Sequence, residues 1–403
     1  MGVFSARVLQ LRSPADAEHE LRRIGVDPGG ITSMTAKMQT HCVHLSRLQC
    51  RQANVLKQEM LALGGDAAVA RGSVACSIDS TDVILIGTPK QLKHLCLKLA
   101  HQPFGLPALA MELSTVLAFT TSAPTVWKTA RRDLQLTRPL IMGILNVTPD
   151  SFSDGARYAN PQRAVERARE MIAEGADIID IGGESTRPGA EAVSAEEETA
   201  RVIPVISELT KIQECVISID TWKSAVARDA MASGAEIIND ISGFTFDAGL
   251  ADVASATGAG VVLMHTRGTP GDMQHNTCYS DLIGAIMQSL RDSVDTALTA
   301  GIERERIAID PGIGFAKNSH GNLEILRRLR EFNALGLPLL VGTSRKSFIG
   351  AITGRDIDNR LFGTAATVAL AISHGAHILR VHDVRAMRDV ADVVHAVVKE
   401  HNA

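Results

Sequence analysis

The chain has 403 residues, too many for one ordinary hydrophobic core and suited to two domains. With 45% hydrophobic and 21% charged residues, its composition is that of a globular protein rather than a disordered or fibrous one. A net charge of −4 excludes a general attraction to nucleic acid or acidic membranes, so any anion must bind locally. No apolar run approaches the roughly 18 residues that span a bilayer, and no signal-type apolar core opens the chain. We therefore expect a cytoplasmic protein.

The cysteines give no sign of a disulfide framework. Six of them, at positions 42, 50, 76, 96, 215 and 278, show neither a CxxC pair nor a regular spacing. Free thiols in a reducing compartment are therefore expected. His41, Cys42, His44 and Cys50 lie close in sequence, but no second pair completes a zinc pattern, so we expect no metal there.

The N-terminal region, residues 1–118, predicts a small α/β domain of unknown function. Strands are expected over Ala6–Leu11, near His41–Leu45 and over Val83–Gly87, and helices over Ala15–Ile24, Gln52–Leu63 and Pro89–Ala100. The region contains no phosphate-binding loop, dinucleotide fingerprint or acidic cluster that would indicate a function. Residues 119–127, rich in Ser, Ala, Pro and Thr, are expected to form a linker.

The remaining residues, 128–403, alternate between strand and helix patterns eight times. Short apolar runs predict strands buried on both faces at Leu140–Asn146, Asp177–Gly183, Val216–Asp220, Glu236–Ile241, Gly260–His265, Ile307–Asp310, Pro338–Thr343 and His377–His382. Amphipathic patterns between them predict the connecting helices. A doubly wound open sheet would also alternate, but eight units without a dinucleotide fingerprint favour closure into a (β/α)8 TIM barrel.

Polar residues stand at the end of every predicted strand. In order they are Asn146, Gly182-Gly183-Glu184 with Thr186-Arg187, Asp220, Asn239-Asp240, His265, Asp310, Thr343 to Lys346, and Arg380 with His382. Because a TIM barrel builds its active site from the carboxyl ends of its strands, these residues indicate where the active site lies.

The acids and amides among these residues suit one kind of ligand. Asp220, Asn239 and Asp310 could accept hydrogen bonds from the amino and ring N–H groups of a flat heterocycle. Any one of these acids, taken alone, could equally be a structural hydrogen-bond hub. Asn146 could ligate Mg²⁺, or could simply cap its own loop.

The basic groups are concentrated at the last two strands, where TIM barrels most often hold phosphate. Arg345 and Lys346 follow the seventh strand, and Arg380 and His382 alternate along the eighth, so that both project to one side. If both faced the barrel axis they would be unfavourable without an anion. The combination predicts displacement at a carbon that bears phosphate or pyrophosphate.

Several multi-residue motifs occur in a fixed order along the predicted barrel. They are Asn146-Val-Thr-Pro-Asp-Ser-Phe-Ser-Asp, Gly182-Gly-Glu-Ser-Thr-Arg-Pro-Gly, Ile219-Asp-Thr, Ile238-Asn-Asp-Ile, Asp310-Pro-Gly-Ile-Gly-Phe and Ser344-Arg-Lys-Ser. From about Leu134 onward the chain resembles the dihydropteroate synthase family. The resemblance implies condensation of 6-hydroxymethyl-7,8-dihydropterin pyrophosphate with p-aminobenzoate, releasing pyrophosphate, in folate synthesis. It also implies a target of sulfonamides, which mimic p-aminobenzoate.

The resemblance assigns roles to individual residues. The implied pterin ligands are Asp220, Asn239, Met264, Asp310 and Lys346. The implied pyrophosphate ligands are Asn146, Thr186, Arg187, Arg380 and His382, with Asn146 acting through Mg²⁺. The implied p-aminobenzoate pocket contains Phe152, Thr186, Arg187, Pro188, Phe315 and Ser347. Asp220, Lys346 and Arg380 are the implied catalytic residues of a dissociative displacement, and a homodimer without nucleic-acid or membrane partners is expected.

Two departures from the family pattern and two alternatives stay open at this point. Ala156 and Ala316 stand where the family commonly has glycine, and the N-terminal region exceeds the common family length. A pterin-barrel methyltransferase would share the pterin acids but has no use for a pyrophosphate pocket. A catalytically silent pterin-binding protein is disfavoured because acids and bases stand at every expected site position.

Overall fold

The computed structural model describes residues 5–11, 13–148, 161–185, 192–212, 215–269 and 271–399. These residues divide into two compact units, with the boundary between Thr121 and Ser122. Of the expected linker, residues 119–121 belong to a helix and a strand begins at Val126. Within the described ranges, no helix combines the length and the apolar character needed to cross a membrane.

The first unit is a small three-stranded antiparallel sheet with helices, in the strand order β1-β3-β2. Its elements are α1 (Pro14–Arg23), α2 (Pro28–Thr35), β1 (His41–Gln49), α3 (Cys50–Ala62), β2 (Asp66–Val69), β3 (Ser80–Gly87), α4 (Pro89–Leu99) and α5 (Leu106–Thr121). The strand expected over Ala6–Leu11 is wrong: these residues pair with no strand, and Val8 is 93% exposed. Alternating apolar residues form a strand only when they pair with a neighbouring strand, and residues 6–11 have no such neighbour in the described structure.

One face of this sheet forms the core of the first unit. Val83 and Leu85 alternate on β3 toward α3, α4 and α5, and both are fully buried. Leu92, Leu95 and Leu99 cover them from α4, where the spacing of three and four residues places all three on one side. The apolar periodicity in the sequence therefore located this core.

The second unit is an eight-stranded parallel barrel, which confirms the expected fold class. Its strands are β6 (Leu140–Asn146), β7 (Ile178–Gly182), β8 (Val216–Asp220), β9 (Ile237–Asp240), β10 (Gly260–Met264), β11 (Ile307–Asp310), β12 (Leu340–Val341) and β13 (Ile378–Val381). Neighbours pair in the order β11-β10-β9-β8-β7-β6-β13-β12. The ring closes where Ile309 of β11 bridges Leu339 in parallel and its N–H donates to Pro338 O at 2.9 Å.

Helices surround the barrel between successive strands. They are α6 (Pro161–Ala173), α7 (Ala195–Leu209), α8 (Ser224–Ser233), α9 (Leu250–Thr257), α10 (Leu282–Thr299), α11 (Ser319–Arg327), α12 (Ser347–Thr353), α13 (Leu361–Ser373) and α14 (Val384–Val398). In α7, Ser194 caps the N-terminus, and Val202, Val205 and Leu209 lie buried on one side. The short helix α12, directly after Lys346, was not expected from the sequence.

A hairpin not expected from the sequence closes the amino-terminal end of the barrel. Strands β4 (Val126–Lys128) and β5 (Asp133–Gln135) pair with each other and carry the fully buried Trp127. Its indole Nε1 donates to Arg306 O at 2.9 Å. Trp127 belongs to a buried apolar cluster with residues from all eight barrel strands, two of them from β6: Leu140, Met142, Ile178, Val216, Ile237, Val262, Ala308, Leu340 and Ile378. These side chains form an apolar layer in the lower half of the barrel interior.

Candidate active site at the mouth of the barrel

A polar layer lies directly above the apolar one. Because side chains alternate along a strand, the next inward residue comes two positions after each residue of the lower layer. On five of the eight strands this next residue is polar: Asp180, Ser218, Asn239, Asp310 and Arg380 follow Ile178, Val216, Ile237, Ala308 and Ile378. The four uncharged or acidic members are each less than 10% exposed. Polar groups so deep in a barrel require partners or a ligand.

Asp180 is the centre of this layer. Its Oδ2 accepts from Arg380 Nε at 2.6 Å and from Asn239 Nδ2 at 3.0 Å. Its Oδ1 is buried and has no hydrogen-bond partner among the described residues. Arg380 Nη2 also donates to Asp220 Oδ2 at 2.5 Å, so one guanidinium bridges two carboxylates. The charge of Arg380 is therefore balanced within the protein, and it does not by itself require an anion, contrary to the argument from alternation.

Asp220 titrates far from the usual range of an aspartate. Burial raises the pKa of Asp220 to about 7, while the nearby Arg380 opposes this shift and Asp180 adds to it. The carboxyl can thus take up or release a proton near neutral pH. A group of this kind in a concave site is a candidate for a chemical role.

Asp310 is fixed by the loop that follows it. Gly312 N–H donates to Asp310 Oδ1 at 2.7 Å, and burial raises the pKa of this carboxyl against the effect of Gly312 and three cations. Gly312 has φ +70°, and a Cβ there would come within 2.0 Å of His265 O. Only glycine fits this close approach. The Nζ of Lys346 lies 4.2 Å from the ring centre of Phe315 in the same loop.

Other expected site residues surround the same opening. Met264 ends β10 and is buried, and Ser347 is exposed at the first position of α12. His382 Nδ1 lies 2.9 Å from Ser344 Oγ, which also accepts the His382 backbone N–H at 3.1 Å. Arg345 is engaged elsewhere, because its guanidinium makes two hydrogen bonds to Asp383, at 3.1 and 2.6 Å.

Asn146 lies beside Asp220 at the top of the barrel. A Cβ placed on Gly182 between them would lie 3.8 Å from Asn146 Oδ1 and 3.7 Å from Asp220 Oδ2. Both oxygens therefore face the space above Gly182. Four further expected residues, Phe152, Thr186, Arg187 and Pro188, fall outside the described residues, as does Ala156.

Two buried residues of this region were missed from the sequence. Asp180 interrupts the apolar run Ile178-Ile179-Asp180-Ile181, and an acid in the middle of a buried strand was the signal that could have found it. Lys317 is 3% exposed, although it follows a glycine-rich loop where a surface lysine is the ordinary expectation. Nothing in its local sequence distinguishes it from an exposed residue.

The fold and the polar layer together define a (β/α)8 barrel with a ligand site at the carboxyl ends of its strands. The sequence profile of a family described as "Pterin binding enzyme" matches residues 142–382. The chain belongs to this family.

Named relatives agree with this membership. A dihydropteroate synthase from Synechocystis sp. is 50% identical over 261 residues, which are 64% of this chain and 90% of the relative. A probable bifunctional folylpolyglutamate synthase/dihydropteroate synthase from Halobacterium salinarum is 43% identical over 372 residues. That alignment covers 92% of this chain but only 44% of the relative, so the chain spans less than half of that protein.

Solved structures are similar to the barrel unit as well. The Yersinia pestis dihydropteroate synthase in complex with a sulfonamide drug has a TM-score of 0.65 at 42% identity, over 68% of this chain and 98% of that one. The Xanthomonas albilineans enzyme with 4-aminobenzoic acid has a TM-score of 0.64 at 43% identity, over 69% and 99%. At these identities the similarity holds for the sequence of the barrel as well as for its fold.

Proposed function

We propose that this chain is a dihydropteroate synthase, a transferase of folate biosynthesis. It would condense 6-hydroxymethyl-7,8-dihydropterin pyrophosphate with p-aminobenzoate and release pyrophosphate. The observation that carries the proposal is the buried polar layer of Asp180, Asn239, Asp310 and Arg380 at the barrel mouth, in a chain that is 50% identical to a named dihydropteroate synthase over 261 residues. An apolar ligand could not satisfy these groups, whereas a pterin offers amino, ring N–H and carbonyl groups.

In this proposal the acids and amide of the polar layer bind the pterin ring. Asp310 would accept from the amino group and an adjacent ring N–H, and Lys346 would donate to the carbonyl side. Asn239, with Nδ2 held by Asp180, is left with its side-chain oxygen for the ligand. Met264 is buried at the end of β10 and would pack against the ring.

The proposed displacement is dissociative, because the electron-rich dihydropterin can delocalise positive charge at its methylene carbon. Asp220 as carboxylate would stabilise that charge, and Arg380 and His382 would stabilise the departing pyrophosphate. The amine of p-aminobenzoate would then attack from the side of Phe315 and Ser347. Phe152, Thr186, Arg187 and Pro188 are proposed to complete this side, with Thr186 and Arg187 also near the pyrophosphate. No covalent protein intermediate is needed.

Mg²⁺ is proposed as the cofactor, held in part by Asn146. The oxygens of Asn146 and Asp220 that face the space above Gly182 are hard ligands of the type that Mg²⁺ prefers. Among the described residues no group of three or more His, Cys, Asp or Glu side chains could hold a metal. In this proposal pyrophosphate and water would supply most of the other ligands, and the ion, when bound, would neutralise charge on the leaving group.

We also propose a homodimer in the cytoplasm. On α13 the exposed side carries Phe362, Ala366 and Leu370 at intervals of four residues, and Phe362 is 86% exposed. The opposite side of α13 is buried against the barrel unit, so the helix has apolar residues on both its buried and its exposed side. Such a helix is typically covered by a partner on the exposed side as well. Phe362→Glu should then halve the mass in sedimentation equilibrium. The six cysteines are all free, as suits a reducing compartment.

A pyrophosphate-release assay tests the proposed activity. The protein is incubated with the pterin pyrophosphate, Mg²⁺ and p-aminobenzoate, and release of pyrophosphate and formation of 7,8-dihydropteroate are measured together. Both products should appear in equal amounts. Folded protein that binds neither substrate and releases no pyrophosphate would contradict the proposal. Pyrophosphate release without dihydropteroate would point to hydrolysis instead.

A further inference from the structure

A buried lysine lies behind the loop that follows Asp310, and none of the roles proposed above uses it. The Nζ of Lys317 donates to Phe315 O at 2.7 Å and to His265 O at 3.4 Å, and it lies 2.9 Å from His265 Nδ1. Within the described part of the chain it pairs with no carboxylate. A buried ammonium group surrounded only by neutral acceptors is unfavourable unless a charge nearby compensates for it.

His265 acts as a neutral acceptor toward this lysine. Burial, followed by the cations Lys317 and Arg267, lowers the pKa of His265 to about 2. With the ring neutral and Nδ1 facing a donor, the ring proton must be on Nε2. The imidazole is therefore fixed in one tautomer, and it cannot supply the missing negative charge.

The backbone that binds Asp310 lies between this carboxylate and Lys317. A Cβ on Gly312 would lie 3.2 Å from Lys317 Nζ, so the ammonium group is next to the residue whose N–H donates to Asp310. The same ammonium group fixes the carbonyl of Phe315, the residue whose ring contacts Lys346. Lys317 thus lies beside Gly312 and is hydrogen-bonded to Phe315 O, at the two ends of the short segment that follows Asp310.

We propose that Lys317 is a positioning residue of the pterin site. Its ammonium group holds the loop 311–316 in shape and keeps Asp310 ionised, so that Asp310 can accept hydrogen bonds from the pterin. The inference rests on the proposed function and assigns Lys317 no contact with the substrate. It explains why a lysine is buried without a carboxylate in contact: Asp310 on the other side of the loop is the compensating charge.

The electrostatics of the region agree with this role. Burial raises the pKa of Asp310, and the cations Lys346, Lys317 and Arg380 oppose the shift. Burial lowers the pKa of Lys317 to about 7, and Asp310 opposes that shift in turn. The titratable and charged groups that face this region are His265 and Arg267 after β10, Tyr279 before α10, Asp310 at β11, Lys346 before α12 and Arg380 on β13. Asp180 and Asp220 lie on the far side of Arg380 and are hydrogen-bonded to it.

The test measures the pH dependence of binding of 6-hydroxymethylpterin to the full chain by fluorescence quenching between about pH 4 and 7. Affinity should fall on the acid side as Asp310 and Asp220 take up protons, and the difference between a Lys317 variant and the unaltered protein isolates the part due to Asp310. In Lys317→Met the cation is lost and the pKa of Asp310 rises, so this acid limb should move up by about one pH unit. At a pH on the limb, affinity should be roughly tenfold weaker than in the unaltered protein.

Tyr279→Phe is the matched control for loop shape. The Tyr279 hydroxyl donates to Ala316 O at 3.1 Å, so its removal loosens the same loop without changing any charge near Asp310. It should lower the melting temperature and leave the acid limb in place. An equal shift of the limb in Tyr279→Phe would overturn the proposal, because shape alone would then explain the effect.

Three further outcomes are decisive. If Lys317→Met does not fold, Lys317→Gln keeps an amide donor without the charge, and it should show the same shift. If neither variant folds while Tyr279→Phe does, Lys317 is a folding residue and the proposal is wrong. An unshifted limb in a folded Lys317 variant overturns it also. If the unaltered protein binds no pterin at any pH, the proposed function itself fails.

Discussion

The lower and upper halves of the barrel interior are built from the same strands, yet they differ completely in chemistry. The lower half is apolar and closed by Trp127, whereas the upper half contains buried acids, an amide and a guanidinium. The two layers are separated by two residues along each strand. Burial of apolar side chains in the lower layer stabilises the fold. Burial of charged side chains in the upper layer is unfavourable unless each has a specific partner. Stability thus depends mainly on the lower layer, and the proposed function depends on the upper layer.

The largest effect is expected for Arg380→Met in the upper layer. Loss of the guanidinium leaves Asp180 and Asp220 adjacent without a cation, which should cost about 3–5 kcal/mol of unfolding free energy. Pyrophosphate release should fall by roughly 10²- to 10³-fold, because the departing group loses a charged donor. Urea unfolding and the release assay measure the two effects.

An ion pair near the lower end provides the control for Arg380. Arg138 Nη2 contacts Asp177 Oδ1 at 2.6 Å, but the arginine side chain is 45% exposed. Arg138→Met should change stability by less than about 1 kcal/mol and leave activity unchanged. If Arg380→Met and Arg138→Met lost similar amounts of stability and activity, the upper and lower halves of the barrel would not differ in the way described.

Trp127→Ala tests the lower layer and should lower the unfolding free energy by about 3–5 kcal/mol. The folded fraction should keep its kcat and KM, because the indole lies at the end of the barrel opposite the site. Trp127→Phe keeps most of the ring and loses only the hydrogen bond to Arg306 O, so about 1 kcal/mol is expected. A changed kcat in Trp127→Phe would show that the lower layer also shapes the active site.

Lys346→Ala should weaken pterin binding without weakening the fold. A hydrogen bond from a charged donor contributes about 1.5–3 kcal/mol, equivalent to roughly ten- to hundredfold in affinity. Lys211→Ala is the matched control, because Lys211 is exposed and pairs with Glu208 at the end of α7, away from the polar layer. Near-normal turnover in Lys346→Ala would mean that the pterin lies elsewhere.

The pH dependence of stability gives a separate signature of the upper layer. Because the pKa of Asp220 is raised to about 7 in the folded protein, the native state holds this proton where the unfolded state has lost it. The contribution of Asp220 to stability is present below about pH 4 and is lost as pH rises to 7, with a slope of at most about 1.4 kcal/mol per pH unit.

Comparison with Asp220→Asn isolates this contribution from other titrating groups. The unfolding free energy of the unaltered protein minus that of Asp220→Asn should decrease between about pH 4 and 7. A constant difference across this range would show that the carboxyl titrates normally.

The smallest effect is expected for Ala316→Gly. Ala316 is fully buried at φ +51°, a left-handed conformation that disfavours an alanine by about 1 kcal/mol. Glycine removes that strain but loses a buried methyl group and gains freedom in the unfolded chain, so the net change should stay within about 0.5 kcal/mol. Ala391→Gly in helix α14, equally buried at helical φ, should instead cost about 1–2 kcal/mol in chemical denaturation.

Strand ends were predictable from the sequence, and interior partners were not. Asp220 and Asp310 end apolar runs, and the parallel arrangement alone places such ends around one opening. Asp180 lies in mid-strand, and its partners Asn239 and Arg380 are 59 and 200 residues away in sequence. No local pattern encodes pairs at that separation.

The errors have physical causes of the same kind. Residues 6–11 have a strand pattern, but a strand exists only beside a partner, which the sequence does not specify. The hairpin with Trp127 was missed because its two strands have three residues each and form only against the barrel floor. Arg380 was expected to need an anion because its two carboxylate partners were not foreseen.

The buried Trp127 also provides an optical marker of barrel closure. Its hydrogen bond to Arg306 spans 179 residues, so the indole reaches its final surroundings only after strands far apart along the chain have assembled. Such distant contacts form late when a chain folds. The chain contains one other tryptophan, Trp222, so replacing it with phenylalanine would leave a single fluorophore at the floor of the barrel. Its emission during refolding would then time the closure of the ring.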